Sequence, residues 1–174
     1  MAALPDLQPV EGKYEILQKL REGGMGAIYL VRHRLLHELR VVKVLRSQLR
    51  DEKDLRERFV REARTAIQLR HPNVAQLYEF EVDADGTAYM VLEYIDGRTL
   101  EEVAAAPEAW SPRLKLEVVH QCLRALGFLH RKGFVHRDIA PDNIMLTRDQ
   151  DAHPLAKLLD LGIVKALRGD DNLT

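Results

Sequence analysis

Hydrophobic and polar residues alternate along several short stretches in the first half of the chain, and a period of two predicts β-strands. These stretches cover residues 14–20, 27–31, 39–45, 74–82 and 87–94. Within residues 51–70 the apolar positions recur every three or four residues, which predicts a helix that Asp51 caps and His71-Pro72 ends. Five strands and one helix therefore make up the first half.

Helices dominate the pattern after residue 95. A short helix is expected over residues 99–106, and a long one from Ser111-Pro112 to about Lys132, because serine caps helices and proline suits their first turn. The long helix is apolar on nearly all sides, so we expect it inside a lobe. Short strands are predicted at residues 134–135, 144–145 and 155–159, which completes an α+β fold.

Composition narrows the class of protein. The chain has 174 residues, of which 46% are hydrophobic and 30% charged, as in one soluble globular unit or two small lobes. Its net charge is −1 with both signs interspersed, which predicts no surface for nucleic acid or for a membrane. The lone Cys122 allows no disulfide within the chain and no cysteine zinc cluster, and we expect it in the core.

The sequence predicts neither a signal peptide nor a membrane-spanning segment. The N-terminal residues lack a basic region followed by an apolar run, so they do not resemble a signal peptide. No apolar run approaches the roughly 18 residues of a membrane span. We therefore expect a cytoplasmic chain, and a membrane anchor beyond residue 174 stays open.

A glycine-dense run, Gly23-Gly24-Met25-Gly26, lies between the first two predicted strands. The run has two explanations at this point. It could be the turn of a hairpin, or its backbone could approach phosphates closely and offer them N–H groups, since glycine has no Cβ.

Two charged side chains lie in elements with apolar faces. Lys43 lies among valines and a leucine in the third predicted strand, where its ammonium must reach solvent or a partner. Glu62 lies in the first predicted helix, four residues after Arg58, and such a surface pair contributes a few tenths of a kcal/mol.

The loop after the long helix has an acid, Asp138, five positions before an amide, Asn143, and Pro141 breaks any helix there. A polar turn is one explanation. However, His136-Arg137-Asp138 followed by Asn143 resembles the catalytic loop of eukaryotic-like protein kinases.

Other motifs resemble this family in the same chain order. The glycine run resembles the glycine-rich loop, above all in bacterial members, with Ile28 in its valine place. Lys43 resembles the lysine of the third strand, and Glu62 the acid of the C-helix that contacts this lysine. Asp160-Leu161-Gly162 resembles the magnesium motif. The chain is thus identified as similar to bacterial serine/threonine kinases from about residue 14 to residue 174.

The resemblance implies an architecture. Residues 13–95 would form a kinase N-lobe, a five-stranded antiparallel sheet with the C-helix, after a lead over residues 1–12. Residues 96–174 would form the first part of a helical C-lobe, with the E-helix, the catalytic loop, the magnesium motif and the start of the activation segment.

The resemblance also implies a reaction, the transfer of the γ-phosphate of ATP to hydroxyl groups of protein substrates with Mg²⁺ as cofactor. Asp138 would take the hydroxyl proton, Asn143 and Asp160 would bind Mg²⁺, and Glu62 would fix Lys43 on the phosphates. The residues implied to contact ATP are Leu20, Gly23, Gly24, Gly26, Ile28, Val41, Lys43, Leu92, Glu93, Ile95 and Met145. Arg137 is expected to be buried and to bind an activation-segment phosphate, for which Thr174 is a candidate.

Three positions depart from the family pattern. Arg21 replaces the first glycine of the loop, Val41 replaces an alanine next to the adenine ring, and Ala140 replaces a lysine that contacts the transferred phosphate. These departures keep a second function open, a pseudokinase-like nucleotide-binding or scaffold module.

The platform for protein substrates that follows the activation segment in this family has no counterpart in the 174 residues. We expect a fragment or a short form with little transfer to protein by itself. We also expect the long helix to expose apolar surface, unless self-association or a partner covers it.

Overall fold

The computed structural model describes residues 12–23, 26–45, 53–82, 87–105 and 110–159. The chain divides into two compact units. The first unit comprises residues 1–67 and 77–94, and the second comprises residues 68–76 and 95–174. The predicted lobe boundary at residue 95 lies close to this division, but residues 68–76 belong with the second unit, because they bond to its last described strand.

An antiparallel five-stranded sheet forms the first unit, in the order β1-β2-β3-β5-β4. Its strands are β1 Tyr14–Gly23, β2 Gly26–His33, β3 Leu39–Leu45, β4 Leu77–Val82 and β5 Ala88–Glu93. The five strands of the sequence pattern are therefore confirmed, and β3 has the predicted bounds. Residues 83–86, predicted as the turn of the last hairpin, lie outside the described residues, although β4 and β5 do pair.

The alternation of side chains sorts the sheet into two faces. One face carries a cluster of buried residues in which Tyr29, Val31, Val42, Val44 and Val91 have at most 1% of their surface exposed. The residues between them in the sequence, such as Ile28, Val41 and Lys43, lie on the other face and are half-buried. The β-branched residues thus lie where a pleated, buried surface favours them.

Among its described residues, the first unit has the helix α1 (Lys53–Ala66). It is shorter than the predicted 51–70, since residues 67 and 68 form a turn, and the predicted cap Asp51 lies outside the described residues. Ala63 and Ala66 are fully buried on its apolar face.

The second unit combines helices with a three-stranded sheet in the order β6-β7-β8. Its elements are β6 Arg98–Thr99, α2 Leu100–Ala104, α3 Pro112–Arg131, a 3₁₀ turn at Pro141–Asn143, β7 Ile144–Arg148 and β8 Pro154–Leu158. Both α-helices begin at capping residues, because Thr99 forms a capping box with Glu102 and the Ser111 hydroxyl accepts the Leu114 N–H at 3.2 Å.

Two strand predictions are wrong. Residues 74–76 are not the start of β4, because Val74 instead forms a parallel bridge with Leu158 in the second unit. Phe134-Val135 is not a strand either. The Phe134 N–H donates to the Leu129 carbonyl at 2.9 Å, which turns the chain back onto the end of α3, and only Phe134 is buried.

The long helix α3 matches its predicted bounds but not its predicted burial. Val118, Ala125 and Leu129 are its buried residues, whereas Leu116, Val119 and Leu123 are 73%, 55% and 62% exposed. The expectation that α3 lies inside a lobe is therefore wrong for the face that carries these three exposed residues. The expectation that α3 exposes apolar surface is confirmed. Among the described residues, no helix is long and apolar enough to span a membrane.

Candidate active site

The glycine run begins the part of the site that lies on the first unit. Gly23 pairs with Gly26 at the end of the β1–β2 ladder, and Gly24 lies outside the described residues. Gly26 has a φ of 145°, and a Cβ at this position would lie 1.8 Å from the carbonyl oxygen of Val44. The absence of a side chain at Gly26 is therefore a packing requirement of the hairpin, whatever else the loop does.

Lys43 lies in a row of cross-strand partners. Ile28 on β2 and Met90 on β5 are its neighbours in register, so the three side chains share one face of the sheet. Val41 and Leu92 form the next pair on the same face. Strand pairing thus brings together four residues that were predicted around the nucleotide from separate motifs, and it adds Met90, which was not predicted. The four are Ile28, Val41, Lys43 and Leu92.

The remaining predicted residues of the first unit differ in exposure. Glu62 on α1 is half-buried, as is Lys43, and its alternative partner Arg58 has a side chain outside the described set. Leu20 on β1 is 47% exposed, and Glu93 ends β5 as a half-buried residue.

The second unit carries the predicted catalytic loop, and one hydrogen bond within it joins the two polar residues that the sequence singled out. The side-chain amide nitrogen of Asn143 donates to the backbone carbonyl of Asp138 at 3.1 Å. The backbone N–H of Asn143 donates to Ala140 at 3.0 Å, which closes the 3₁₀ turn after Pro141. The loop is thus a folded turn in which Asp138 and Asn143 have a fixed separation.

The amide of Asn143 is suited to a cation. Its nitrogen makes the bond to Asp138, so its side-chain oxygen is not used in that bond, and carbonyl-type oxygens are ligands that Mg²⁺ accepts. The backbone carbonyl of Asn143 also accepts the N–H of Leu159 at 2.8 Å. Leu159 directly precedes Asp160, the second predicted magnesium ligand, which itself lies outside the described residues.

His136 contacts the same stretch from another side of the loop. Its side chain is 1% exposed, and its Nε2 lies 2.8 Å from the Leu159 carbonyl oxygen. His136 had no predicted role of its own. Its position in the loop motif was the one feature that pointed to it.

Arg137 corrects a prediction. Its side chain is exposed rather than buried, and its φ is 61°, a conformation that is uncommon for a residue with a side chain. The neighbouring His136 is buried, so the two adjacent side chains lie in different environments. The predicted phosphate acceptor Thr174 lies outside the described residues.

Two ATP-contact candidates lie on the second unit. Ile95 is 8% exposed directly after the last residue of the first unit, and Met145 is half-buried on β7. The sequence analysis also missed two amides of this unit, Asn73 and Gln121, which bond to each other although 48 positions separate them. Nothing in the sequence pairs these two residues.

Comparison with known proteins agrees with this arrangement. Residues 14–174 match the sequence model of the family described as the protein kinase domain. The chain belongs to the protein kinase family. Its fold, with the five-stranded antiparallel sheet in the first unit, is the protein-kinase fold.

Relatives of this kinase chain are bacterial serine/threonine kinases. It is 36% identical over 165 residues to the serine/threonine-protein kinase PknB of Mycobacterium leprae, covering 93% of this chain and 26% of that protein. It is 34% identical over 158 residues to PrkC of Bacillus subtilis, covering 91% of this chain and 24% of that protein. The chain therefore spans about a quarter of the length of these curated relatives.

A solved structure gives the same result. The kinase domain of PknI from Mycobacterium tuberculosis superposes with a TM-score of 0.71 at 28% identity, covering 87% of this kinase chain and 60% of that one. The likeness extends over both units of the fold.

Proposed function

We propose that this chain carries the nucleotide site and the catalytic loop of a serine/threonine protein kinase, which transfers the γ-phosphate of ATP to protein hydroxyl groups. The observation that carries the proposal is the bond from the Asn143 amide to the Asp138 carbonyl. It joins the Asn143 side chain to the backbone of Asp138, so an acid and an amide lie on one short folded loop, in the pattern that the kinase reaction uses.

Asp138 is the proposed base. Its carboxylate accepts the proton of the substrate hydroxyl as the hydroxyl oxygen forms a bond to the γ-phosphorus. The bond between the γ-phosphorus and the oxygen that bridges to the β-phosphate breaks, and ADP leaves with that electron pair. A base fixed in position contributes most by orientation, because the hydroxyl then meets the phosphorus in line.

Most of the proposed nucleotide contacts belong to the first unit, whereas Ile95 belongs to the second. Lys43 donates to the α- and β-phosphates, and Glu62 orients it, since an ammonium on an apolar strand needs a charged partner. The backbone at Gly23–Gly26 covers the phosphates, and the backbone of Glu93 and Ile95 pairs with the adenine. Val41, which is paired with Leu92 in the sheet, narrows the space for the adenine ring.

Asn143 and Asp160 are proposed to bind Mg²⁺, through the amide oxygen that the bond to Asp138 does not use and through a carboxylate. Bound Mg²⁺ supplies positive charge that neutralises the phosphate oxygens. Asp160 follows Leu159, which His136 and Asn143 both contact, so the proposed ligand lies next to a residue with two defined bonds.

Calorimetric titration with ATP, once with Mg²⁺ and once with EDTA, tests nucleotide binding by the full chain. We expect binding that depends on Mg²⁺, and Lys43→Ala should weaken it about tenfold to a hundredfold, as for loss of a hydrogen bond to a charged group. Lys115→Ala, an exposed lysine on α3, is the control and should bind as the parent chain does.

Phosphate transfer to a serine- and threonine-containing peptide tests the chemical step, in the longest form of the protein in which this chain occurs. Asp138→Asn should lower the rate about 10²- to 10⁴-fold, the usual contribution of a positioned base, without changing the affinity for ATP. Asp151→Asn, an exposed acid of the β7–β8 turn, is the matched control. Equal transfer rates in the parent and in Asp138→Asn would refute the proposal.

The alternative function, a nucleotide-binding or scaffold module, is favoured by Ala140. This residue caps the 3₁₀ turn directly before Pro141 and offers only a methyl group, so the turn lacks a positive charge there. ATP binding of the expected strength, together with no transfer that depends on Asp138, would select this alternative.

A further inference from the structure

Asn73 is one of two buried polar residues among those the structure describes, with 4% of its surface exposed. It lies in the segment 68–76 that follows α1 in the sequence. Its side-chain nitrogen donates to the Gln121 side-chain oxygen at 2.8 Å and to the Ala156 carbonyl at 2.9 Å. Both protons of this amide therefore have an acceptor, and one acceptor belongs to β8.

Gln121 completes the network from α3. Its side-chain oxygen accepts the backbone N–H of Ala156 at 2.8 Å in addition to the Asn73 amide. Its side-chain nitrogen donates to the Pro154 carbonyl at 2.9 Å and to the Glu117 carboxylate at 2.8 Å. One glutamine thus bonds to the backbone of β8 at two positions.

The backbone of the 68–76 segment also bonds to β8. The Leu158 N–H donates to the Asn73 carbonyl, and the Ala75 N–H donates to the Leu158 carbonyl, both at 2.9 Å. The next residue, Leu159, bonds to Asn143 and to His136 in the catalytic loop. Strand β8 is therefore bonded on one side by the Asn73–Gln121 network and at its end by the catalytic loop.

The orientation of the Asn73 amide is determined by these partners. Because both of its neighbours are acceptors, a flipped amide would place oxygen against oxygen at Gln121 and at Ala156. Removing either amide would leave buried polar groups of β8 without their partners. The bond from Asn73 to Ala156 is buried and Gln121 is half-buried, and a network in which both amides have their partners favours a single position of the strand.

His71 extends the network toward the end of α3. Its Nδ1 accepts the Asn73 backbone N–H at 3.1 Å, and its ring stacks on Phe128 with 5.0 Å between the ring centres. Burial lowers the pKa of His71, and the charges of Arg124 and Arg131 lower it further, so Nδ1 stays available as an acceptor near neutral pH.

We propose that Asn73 and Gln121 are positioning residues for the proposed magnesium site: they fix β8, and Leu159, the residue after β8, bonds to Asn143 and His136 in the catalytic loop. This inference rests on the proposed function. According to this inference, Asn73 and Gln121 affect the binding of Mg²⁺, although neither belongs to the motifs described above. The nucleotide contacts of the first unit stay unchanged.

Hydrogen exchange measured residue by residue tests the structural half without any ligand. We expect Asn73→Ala and Gln121→Ala each to speed exchange of the Leu158 and Leu159 amides about tenfold, the effect of losing a typical buried hydrogen bond. The double variant should add little, because the two side chains share one network. His120→Ala, the exposed residue next to Gln121 on α3, should leave both amides as they are.

Titration of the same variants with ATP tests the functional half. The ratio of ATP affinity with Mg²⁺ to affinity with EDTA should fall about tenfold in Asn73→Ala and in Gln121→Ala, while the affinity with EDTA stays constant. A general loss of structure would lower both affinities together. The ratio therefore separates a positioning role from a merely structural one.

A double variant that exchanges the residues at positions 117 and 121 is a further control, in case the alanine variants fold poorly. Glu117→Gln combined with Gln121→Glu keeps an oxygen for Asn73 and Ala156 and keeps a hydrogen bond between positions 117 and 121. A glutamate at position 121 cannot donate to the Pro154 carbonyl, so we expect this pair to have a ratio between that of the parent and that of Gln121→Ala.

The outcomes distinguish the two claims. If Asp160→Ala removes the magnesium enhancement but Asn73→Ala and Gln121→Ala keep it, the positioning role is wrong and the proposed function stands. If the parent chain shows no magnesium enhancement, both are wrong. Unchanged exchange of the Leu158 and Leu159 amides in the variants would also overturn the positioning role.

Discussion

Substitution of Gly26 by alanine tests the packing explanation of the glycine run. A Cβ on Gly26 would lie 1.8 Å from the Val44 carbonyl oxygen and 2.9 Å from its carbonyl carbon, both backbone atoms of the neighbouring strand β3. Neither atom can move by a simple side-chain rotation. Val44 is itself fully buried, so a shift of β3 would disturb the buried cluster to which Val44 belongs.

The expected cost follows from two contributions. Forcing an extra methyl into a packed region costs about 1–3 kcal/mol, and a backbone conformation that favours glycine costs about 1–3 kcal/mol more for alanine. The sum, about 2–6 kcal/mol, is a large share of the 5–15 kcal/mol that typically stabilises a domain. Gly26→Ala should therefore disturb the pairing of β2 with β3 and lower the stability of the first unit.

Urea unfolding followed by circular dichroism measures this loss, and two other glycines are matched controls. Gly133 has a φ of 74° but no atom within 4 Å of a built Cβ, so Gly133→Ala should cost about 1–2 kcal/mol. Gly12 has free space and no positive φ, so Gly12→Ala should stay within about 0.5 kcal/mol of the parent. If Gly26→Ala unfolds at the same urea concentration as Gly12→Ala, the packing explanation is refuted.

Two further predictions concern stability. Ser111→Ala removes the hydroxyl that caps α3 and should cost about 1 kcal/mol in thermal unfolding, whereas Ser111→Asp should cost much less, and equal losses would contradict the capping role. Burial raises the pKa of the Glu79 carboxyl, but hydrogen bonds from Lys13 and Tyr14 outweigh it, so the pKa lies below its usual 4.5. The stability that this carboxylate contributes is present above pH 4.5 and is lost as the pH falls through the lowered pKa. Glu79→Gln should lack this part of the acid dependence when urea midpoints are compared at pH 7 and at lower pH, and identical acid dependence in both proteins would refute it.

The sequence predicted best those elements whose ends are encoded locally. Helix α3 has its predicted bounds because Ser111, Pro112 and Gly133 each set a boundary through their own backbone chemistry. Strand β4 was predicted too long, because residues 74–76 continue an alternating pattern while their partner is Leu158, 84 positions beyond Val74. Periodicity predicts that a residue is extended, but it does not predict which strand the residue meets.

The burial of α3 shows a related limit. Its composition predicted an interior helix, yet Leu116, Val119 and Leu123 are exposed. An apolar side chain indicates that burial would be favourable, whereas the surface that buries it has to come from elsewhere in the fold. The composition of a helix therefore predicts its preference and not its neighbours.

The candidate site divides along the same line. The closeness of Asp138 and Asn143 was predictable because they lie only five positions apart in one loop, and a single hydrogen bond joins them. Arg137, which lies between His136 and Asp138, was assigned the wrong environment, since a motif specifies residue types and not how far each side chain is exposed in the folded loop. Asn73 and Gln121 gave no indication at all, because an asparagine after a helix and a glutamine within one are common on surfaces. Their bonds to β8 depend on the contact of three segments, namely residues 68–76, α3 and β8. This contact, which the sequence does not predict, connects Leu159, the residue before the proposed magnesium ligand, to parts of the chain that no motif contains.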